Sequence, residues 1–238
     1  MKLRFVLFVF FAVCCADSVF AQGFSFRYME LSVSEGESMF TNKKFVVPPP
    51  QSLTPLNGVV KFSTKNRHEA RLNFYTTSHF GAEAFYSFEK NQVVYEQTTA
   101  PASSIAVPLE IHNFGMDILY YPVGSPDSKW RPFIFIGGGA KIYRPSGLGQ
   151  SIAKDPLQGN FATFFESSHG SFSYGGGVKR TLNKSFSARL DVGNQMTAVP
   201  LFGLSTYSPL LPNDTVIPIG GNINNPFVSV GIILKLGK

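Results

Sequence analysis

A chain of 238 residues, 44% hydrophobic and 15% charged with a formal net charge of +6, is long enough for one sizeable all-β domain. Its basic residues are scattered, which excludes the clustered patch of a nucleic-acid binder. Both cysteines, Cys14 and Cys15, fall in the leading segment, so the remainder has no disulfide scaffold, thiolate nucleophile or cysteine metal site.

Met1–Ala21 has the three parts of a secretory signal. Lys2 and Arg4 are the positive region, Phe5–Cys15 is an apolar core too short to span a bilayer, and Val19-Phe20-Ala21 offers a small-residue cleavage site before Gln22. A lipoprotein reading would modify Cys14 or Cys15, and Phe11 and Val13 fit it poorly. Cleavage after Ala21 leaves 238 − 21 = 217 residues, and losing Lys2, Arg4 and Asp17 takes the charge to +6 − 2 + 1 = +5. That mild basic excess favours contact with anionic lipid or lipopolysaccharide. No later run of apolar residues is long enough for a transmembrane helix.

The first predicted strand is Phe24–Ser34. A long polar segment follows to about Arg67, with Pro48-Pro49-Pro50 and Pro55 excluded from any central strand and a short extension at Val59–Ser63. His68–Thr76 and Phe80–Glu89 predict a hairpin about Thr77-Ser78-His79. In it Ala70, Leu72 and Phe74 oppose Glu69, Arg71 and Asn73, while Ala82, Ala84, Tyr86 and Phe88 oppose Gly81 and Glu83. Asn91–Glu110, with Pro101 and Pro108, reads as a second long loop. Ile111–Tyr121 sets Phe114, Met116, Ile118 and Tyr120 against Asn113, Gly115 and Asp117.

A turn with Pro122, Gly124 and Pro126 leads to Arg131–Tyr143, where Ile134, Ile136, Ala140 and Ile142 oppose Lys141. A third long loop runs from Arg144 to about Phe164. Phe165–Thr197 is a hairpin turning at Leu182-Asn183-Lys184, its second arm setting Phe186, Ala188, Leu190 and Val192 against Ser187, Arg189, Asp191 and Gly193. Val199–Asn225 is the fourth loop, rich in proline, and Phe227–Leu236 is the last strand, with Val228, Val230, Ile232, Leu234 and Leu236 on one face.

Eight strands thus alternate short turns near residues 78, 126 and 183 with long loops after strands one, three, five and seven. This is the layout of an outer-membrane barrel, with short periplasmic turns, long outer loops, apolar residues facing lipid and polar ones facing the lumen. The 24 Phe and 9 Tyr suit such a wall. A soluble periplasmic ligand-binding barrel would put the apolar faces inside instead, and has no strong reason for the loop asymmetry. The expected fold is therefore all-β, an eight-stranded antiparallel up-and-down transmembrane β-barrel spanning residues 22–238.

Ser173-Tyr174-Gly175-Gly176-Gly177-Val178, followed by Phe186-Ser187-Ala188-Arg189-Leu190-Asp191, resembles the sixth and seventh strands of the small outer-membrane barrel family that includes the OmpA transmembrane domain, OmpX and the opacity proteins. Pro132-Phe133-Ile134 with Gly137-Gly138-Gly139 is similar to its fifth strand. The resemblance implies an outer-membrane location, assembly by the barrel-insertion machinery, and a non-catalytic role through the loops. Many members end in an aromatic residue which that machinery reads; this chain ends Lys235-Leu236-Gly237-Lys238.

An eight-stranded lumen is just wide enough to be filled by side chains. The alternation points Glu69, Arg71, Glu83, Asp117, Lys141, Arg189 and Asp191 inward, and unpaired charges there would be costly, so an ion network is expected. Neither triple glycine is followed by Lys-Ser/Thr or a helix, which removes the phosphate-loop reading. His169-Gly170-Ser171 is the one enzymatic hint: it resembles the lipid-facing His-x-Ser pair of barrel lipid A deacylases, with Phe172 where that family has Asn. His68, His79 and His112 lack metal-ligand spacing. The expectation is an envelope or adhesion-type protein without cofactors or catalysis, whose partners are outer-membrane lipid, lipopolysaccharide and a surface ligand at its loops. Glu35–Asn66 and Val199–Asn225 are the expected contact surfaces.

Overall fold

The computed structural model describes residues 29–47, 56–99, 103–125, 128–158, 161, 163–204 and 219–236. The leading segment and the Phe24–Tyr28 part of the expected first strand lie outside them, as do Pro48–Pro50, Pro55, Pro101, Pro209, Pro212 and Pro218.

The elements in chain order are β1 (Met29–Ser38), β2 (Lys43–Val47), β3 (Leu56–Phe62), β4 (Lys65–Tyr75), β5 (Phe80–Gln97), β6 (Ser103–Tyr120), β7 (Trp130–Pro145), α1 (Gly147–Lys154), β8 (Ser167–Thr181), β9 (Phe186–Ala198) and β10 (Asn222–Leu236). Eight of the strands form an antiparallel ring in the order β1-β4-β5-β6-β7-β8-β9-β10, closed by β10 pairing with β1 from Met29↔Leu236 to Ser38↔Phe227. Closure leaves no strand edge within the ring, as hydrocarbon surroundings require. No helix among the described residues is long and apolar enough to cross a membrane; the strands do the crossing.

The two faces of the wall identify its solvent. The outward residues Val33, Ile118, Ile134 and Val230 are 61%, 61%, 59% and 62% exposed, whereas the inward Arg67, Glu83, Lys141 and Asp191 are 0% exposed. A water-soluble barrel would need the opposite arrangement, so the soluble ligand-binding alternative is overturned. This is a membrane-spanning barrel. Aromatic residues rim the apolar belt: Phe80, Tyr120, Trp130 and Phe186 at the short-turn end, Tyr86, Phe172 and Tyr174 toward the loops, all substantially exposed.

Three expected loops are structured. Asn91–Glu110 is no loop: β5 and β6 stay paired out to Gln97↔Ser103, so their hairpin projects beyond the ring. Pro108 is tolerated within β6 because β6–β7 pairing stops at Leu109↔Pro145. Its carbonyl, on the side β7 has vacated, accepts from the Ser146 N–H at 3.1 Å. Pro226, expected in the last loop, sits in β10 for the same reason: β1–β10 pairing ends at Ser38↔Phe227, and the Pro226 carbonyl takes the Met39 N–H at 2.9 Å. The first loop contains β2 and β3, the latter adding to β5 above the ring from Gly58↔Gln97 to Phe62↔Val93. The third begins with α1, whose N-cap Ser146 accepts from the Gly149 N–H and whose C-cap Asp155 is held below the usual carboxylate range by donation from the Leu157 N–H and Gln158.

The glycine-rich strands let inward aromatics lie flat against the wall. A β-carbon at Gly193 would fall 2.7 Å from the Phe135 ring and 2.8 Å from the Phe227 ring, and one at Gly177 would fall 2.6 Å from Phe133. Gly170 has nothing within 4 Å. Gly193→Ala is therefore expected to cost about 1–3 kcal/mol by overpacking, and Gly170→Ala to stay within about 0.5 kcal/mol. Urea unfolding of the vesicle-inserted barrel checks both.

Candidate functional site

The lumen is built by the inward parity of the ring strands. Its middle is an ion network linking four strands through two arginines. Arg71 on β4 donates to Glu83 on β5 at 2.6 Å, to Asp117 on β6 at 3.3 Å, and from Nε to Glu69. Arg189 on β9 grips Glu83 with both terminal nitrogens, Nη2 at 2.9 Å, while its Nε donates to Asp191 at 2.8 and 3.0 Å. Glu83 thus accepts from two guanidiniums that the chain separates by more than a hundred positions. Asp117 takes a further bond from the Ser173 hydroxyl. The rings of Phe85, Phe133 and Phe135 lie beside these guanidiniums, with Arg189 4.9 Å from Phe133 and Arg71 5.4 Å from Phe85.

Toward the short turns, Lys179 on β8 donates to Glu30 on β1 at 2.6 Å, to Tyr75 at 2.9 Å and to Tyr121 at 3.0 Å. Tyr75 also donates to Glu30 at 2.8 Å, and Asn73 to Tyr121 at 2.8 Å. Arg131 covers this mouth, 3.8 Å over the Tyr121 ring, and donates to the Ser78 carbonyl at 2.7 Å. Toward the loops, Arg67 donates to Glu69 and to Gln195 at 2.9 Å and packs 4.2 Å over Phe227; Ser38 donates to Glu89 at 2.6 Å.

Six of the seven sequence-predicted residues, namely Glu69, Arg71, Glu83, Asp117, Arg189 and Asp191, meet in the middle network. Lys141 is equally buried but stands apart, its ammonium 5.0 Å from the Phe40 ring with no hydrogen-bond partner among the described residues. Sequence reasoning missed Glu30, Arg67, Glu89, Arg131 and Lys179, all buried and inward. Among the described residues the buried ionisable side chains balance: six cations (Arg67, Arg71, Arg131, Lys141, Lys179, Arg189) against six carboxylates (Glu30, Glu69, Glu83, Glu89, Asp117, Asp191).

Above the network the interior turns apolar. Phe40, Phe62, Val93, Tyr95, Val107, Leu109, Tyr143, Phe161, Phe164 and Phe202 form one buried cluster that roofs the lumen. Phe164 stacks on Phe202 at 4.7 Å and on Phe161 at 5.6 Å, and Phe40 lies 4.8 Å from Phe62. Phe202 is fully buried although its φ is 52°, a left-handed backbone that costs a non-glycine residue about 1–2 kcal/mol.

His169 and Ser171 share a face, but it is the lumen face of β8. His169 Nε2 pairs with the Ser167 hydroxyl at 2.8 Å, and Ser171 donates to Asn113 at 3.2 Å. They are not bonded to each other, and Phe172, between Ser171 and Ser173, points outward instead. His68 lies 3.4 Å from Glu35 on the surface, and His112 bonds Tyr86 at 2.8 Å. No group of three potential metal ligands occurs among the described residues.

No protein-family model matches the chain, and no curated protein sequence matches it. Among solved structures, the outer membrane protein AlkL in lipid bilayers is 11% identical with a TM-score of 0.50, over 90% of this chain and 93% of that one. Neisserial surface protein A is 10% identical with a TM-score of 0.43, over 87% and 96%. Ail, the attachment invasion locus protein of Yersinia pestis, is 10% identical with a TM-score of 0.42, over 87% and 99%. The fold is that of a small outer-membrane barrel. At these identities the likeness concerns architecture.

Glu83→Ala would strand Arg71 and Arg189 with fewer partners and should destabilise the barrel by about 3–5 kcal/mol. Lys141→Met removes an ammonium with no hydrogen bond to lose and should leave stability unchanged or raised. Urea midpoints in vesicles distinguish the two.

Proposed function

We propose that the chain is exported by removal of Met1–Ala21, assembled by the barrel-insertion machinery, and held in the outer membrane as a non-catalytic barrel whose working surface is its roofed outer end. The observation that carries this reading is the double closure of the interior. A network of buried ion pairs fills the middle, and an aromatic roof covers it. A through-path would have to break both, so the outer surface is left as the place for function. The projecting β5–β6 hairpin and the added β2–β3 pair form a continuous sheet there, a rigid support for contact residues. Glu35–Asn66 and Val199–Asn225 would meet a surface ligand, while lipopolysaccharide and outer-membrane lipid surround the belt.

The test has three parts. The protein should fractionate with the outer membrane and give an electrophoretic band that shifts on boiling. In planar bilayers it should show no strong, steady conductance. Replacing Lys43–Phe62 by a short Gly-Ser linker should abolish cell attachment or the envelope phenotype while keeping the boiling shift; steady large currents or unchanged phenotypes would remove this reading. Phe202→Ala should open the roof, making the outer segments sensitive to added protease without loss of the shifted band.

The lipid A-modifying alternative is disfavoured by the inward orientation of His169 and Ser171 and by the pairing of His169 with Ser167. Under the non-catalytic reading, His169→Ala and Ser171→Ala leave the lipid A mass spectrum of the host unchanged.

A further inference from the structure

Some exposed charges toward the outer end pair with one another, as Arg144 with Glu166 at 2.7 Å and His68 with Glu35 at 3.4 Å. At the short-turn rim, Lys129, Arg180 and Lys184 are all exposed, and none has a carboxylate partner among the described residues. Asp127, two positions before Lys129, lies outside those residues. The three cations are drawn together by the ends of β7, β8 and β9. Trp130 faces Arg180 across the β7–β8 ladder, and Thr181 ties the strands by donating from its N–H to the Lys129 carbonyl at 3.0 Å and from its hydroxyl to Ser128 at 3.2 Å. The adjoining turn is fixed by the Asn183 side chain, which accepts from the N–H groups of Ser185 and Phe186 at 2.9 and 2.8 Å and so holds Lys184 at the rim.

The patch is amphipathic along the membrane normal. The Arg180 guanidinium lies 5.0 Å over the Trp130 ring, which is itself 51% exposed at the edge of the belt. Toward the bilayer the outward wall continues into Ile134 and Leu190, 59% and 40% exposed. A stacked arginine retains its donors for an anion while its other face is sheltered by the indole. Cations directly above an apolar wall match a molecule carrying a phosphate at one end and hydrocarbon at the other.

We propose that this rim is a binding site for an anionic phospholipid of the periplasmic leaflet. Its headgroup phosphate would be held by Arg180, Lys129 and Lys184, and its acyl chains would lie along Ile134 and Leu190. The inference rests on the membrane orientation given under the proposed function. The site would anchor the short-turn end at a fixed depth by charge, leaving the outer end free for its contacts.

Trp130 is the chain's single tryptophan and lies in the site, so its fluorescence reads this rim alone. The refolded protein is placed in phosphatidylcholine vesicles doped with equal mole fractions of bromine-chain phosphatidylglycerol or bromine-chain phosphatidylcholine. The phosphatidylglycerol should quench Trp130 at a several-fold lower mole fraction. That preference should vanish in Lys129→Gln/Arg180→Gln/Lys184→Gln, shrink in about 0.5 M NaCl as screening shortens the reach of the charges, and largely survive in Arg180→Lys. Equal quenching by the two lipids, or a preference unchanged in the triple variant, would overturn the site. So would reversal by excess free glycerol phosphate, which would assign the patch to soluble phosphates. Quenching by neither lipid would instead remove the membrane reading itself. If the triple variant gives no heat-shifted band, Arg180→Gln alone should halve the preference or more, and no change there would equally count against the site.

Discussion

The structure depends on Glu83 shared between Arg71 and Arg189. These three side chains come from strands that are not all neighbours in the ring: β4 and β5 pair directly, but β9 reaches Glu83 only across the lumen. Backbone pairing alone makes a closed wall, and nothing in it fixes the distance across. The cross-lumen bonds do. Because the wall faces hydrocarbon, hydrophobic burial cannot drive the interior together; the outward apolar residues stay in contact with an apolar medium. Packing, charge pairing and polar satisfaction inside must hold the cross-section, and each buried charge carries a large desolvation cost that only good geometry offsets. Among the described residues six buried cations match six carboxylates, in keeping with that constraint.

The same reasoning locates the membrane boundary on the strands. On β5, inward Glu83, Ser87, Glu89 and Asn91, with Phe85 among them beside Arg71, give way to Val93 and Tyr95; outward Ala82, Ala84, Tyr86 and Phe88 give way to Lys90, Gln92 and Glu96, with Val94 among them. Inside and outside exchange character within about two rungs. Below the exchange the surrounding medium is hydrocarbon and the interior is polar. Above it the surroundings are water, and the roof is an ordinary hydrophobic core in which burial again contributes stability. The left-handed Phe202 is tolerated at this place because a fully buried ring stacked on Phe164 offsets the backbone cost.

Much of the ring was legible in the sequence because period-two alternation is strongest where the two faces meet opposite media. His68–Thr76, Ile111–Tyr121 and Phe186–Thr197 carry that signal cleanly, and so did six members of the middle network. The misses have physical causes. The exchange of faces at the rim breaks the alternation, so Asn91–Glu110 reads as irregular even though it continues two strands, and Pro108 reinforces the error because its free side is visible only once β7 is seen to stop. Arg67 was lost by starting the strand at His68, three residues after β4 begins at Lys65. Lys179 lies at the end of a glycine-rich run with little alternation to follow, and Arg131 sits at the start of β7, where boundaries are least certain; Glu30 lies inside the expected strand Phe24–Ser34, to which no alternation was assigned. The resemblance implied a lipid-facing His169–Ser171 pair; in the structure both share the inward parity of Ser173, and His169 is paired with Ser167.

The glycine runs connect these levels. Gly175 and Gly193 face each other across the β8–β9 ladder, and the Phe135 ring approaches both. Without side chains there, the ring lies against the backbone and leaves the centre of the lumen to the ionic groups. A larger residue at either position would push Phe135 toward Arg71, whose guanidinium is 5.8 Å from that ring, and so disturb a bond to Glu83 on the opposite side of the barrel. The glycines hold open the space in which the charges can pair, and the pairing holds the width at which the outer sheet and its roof can form.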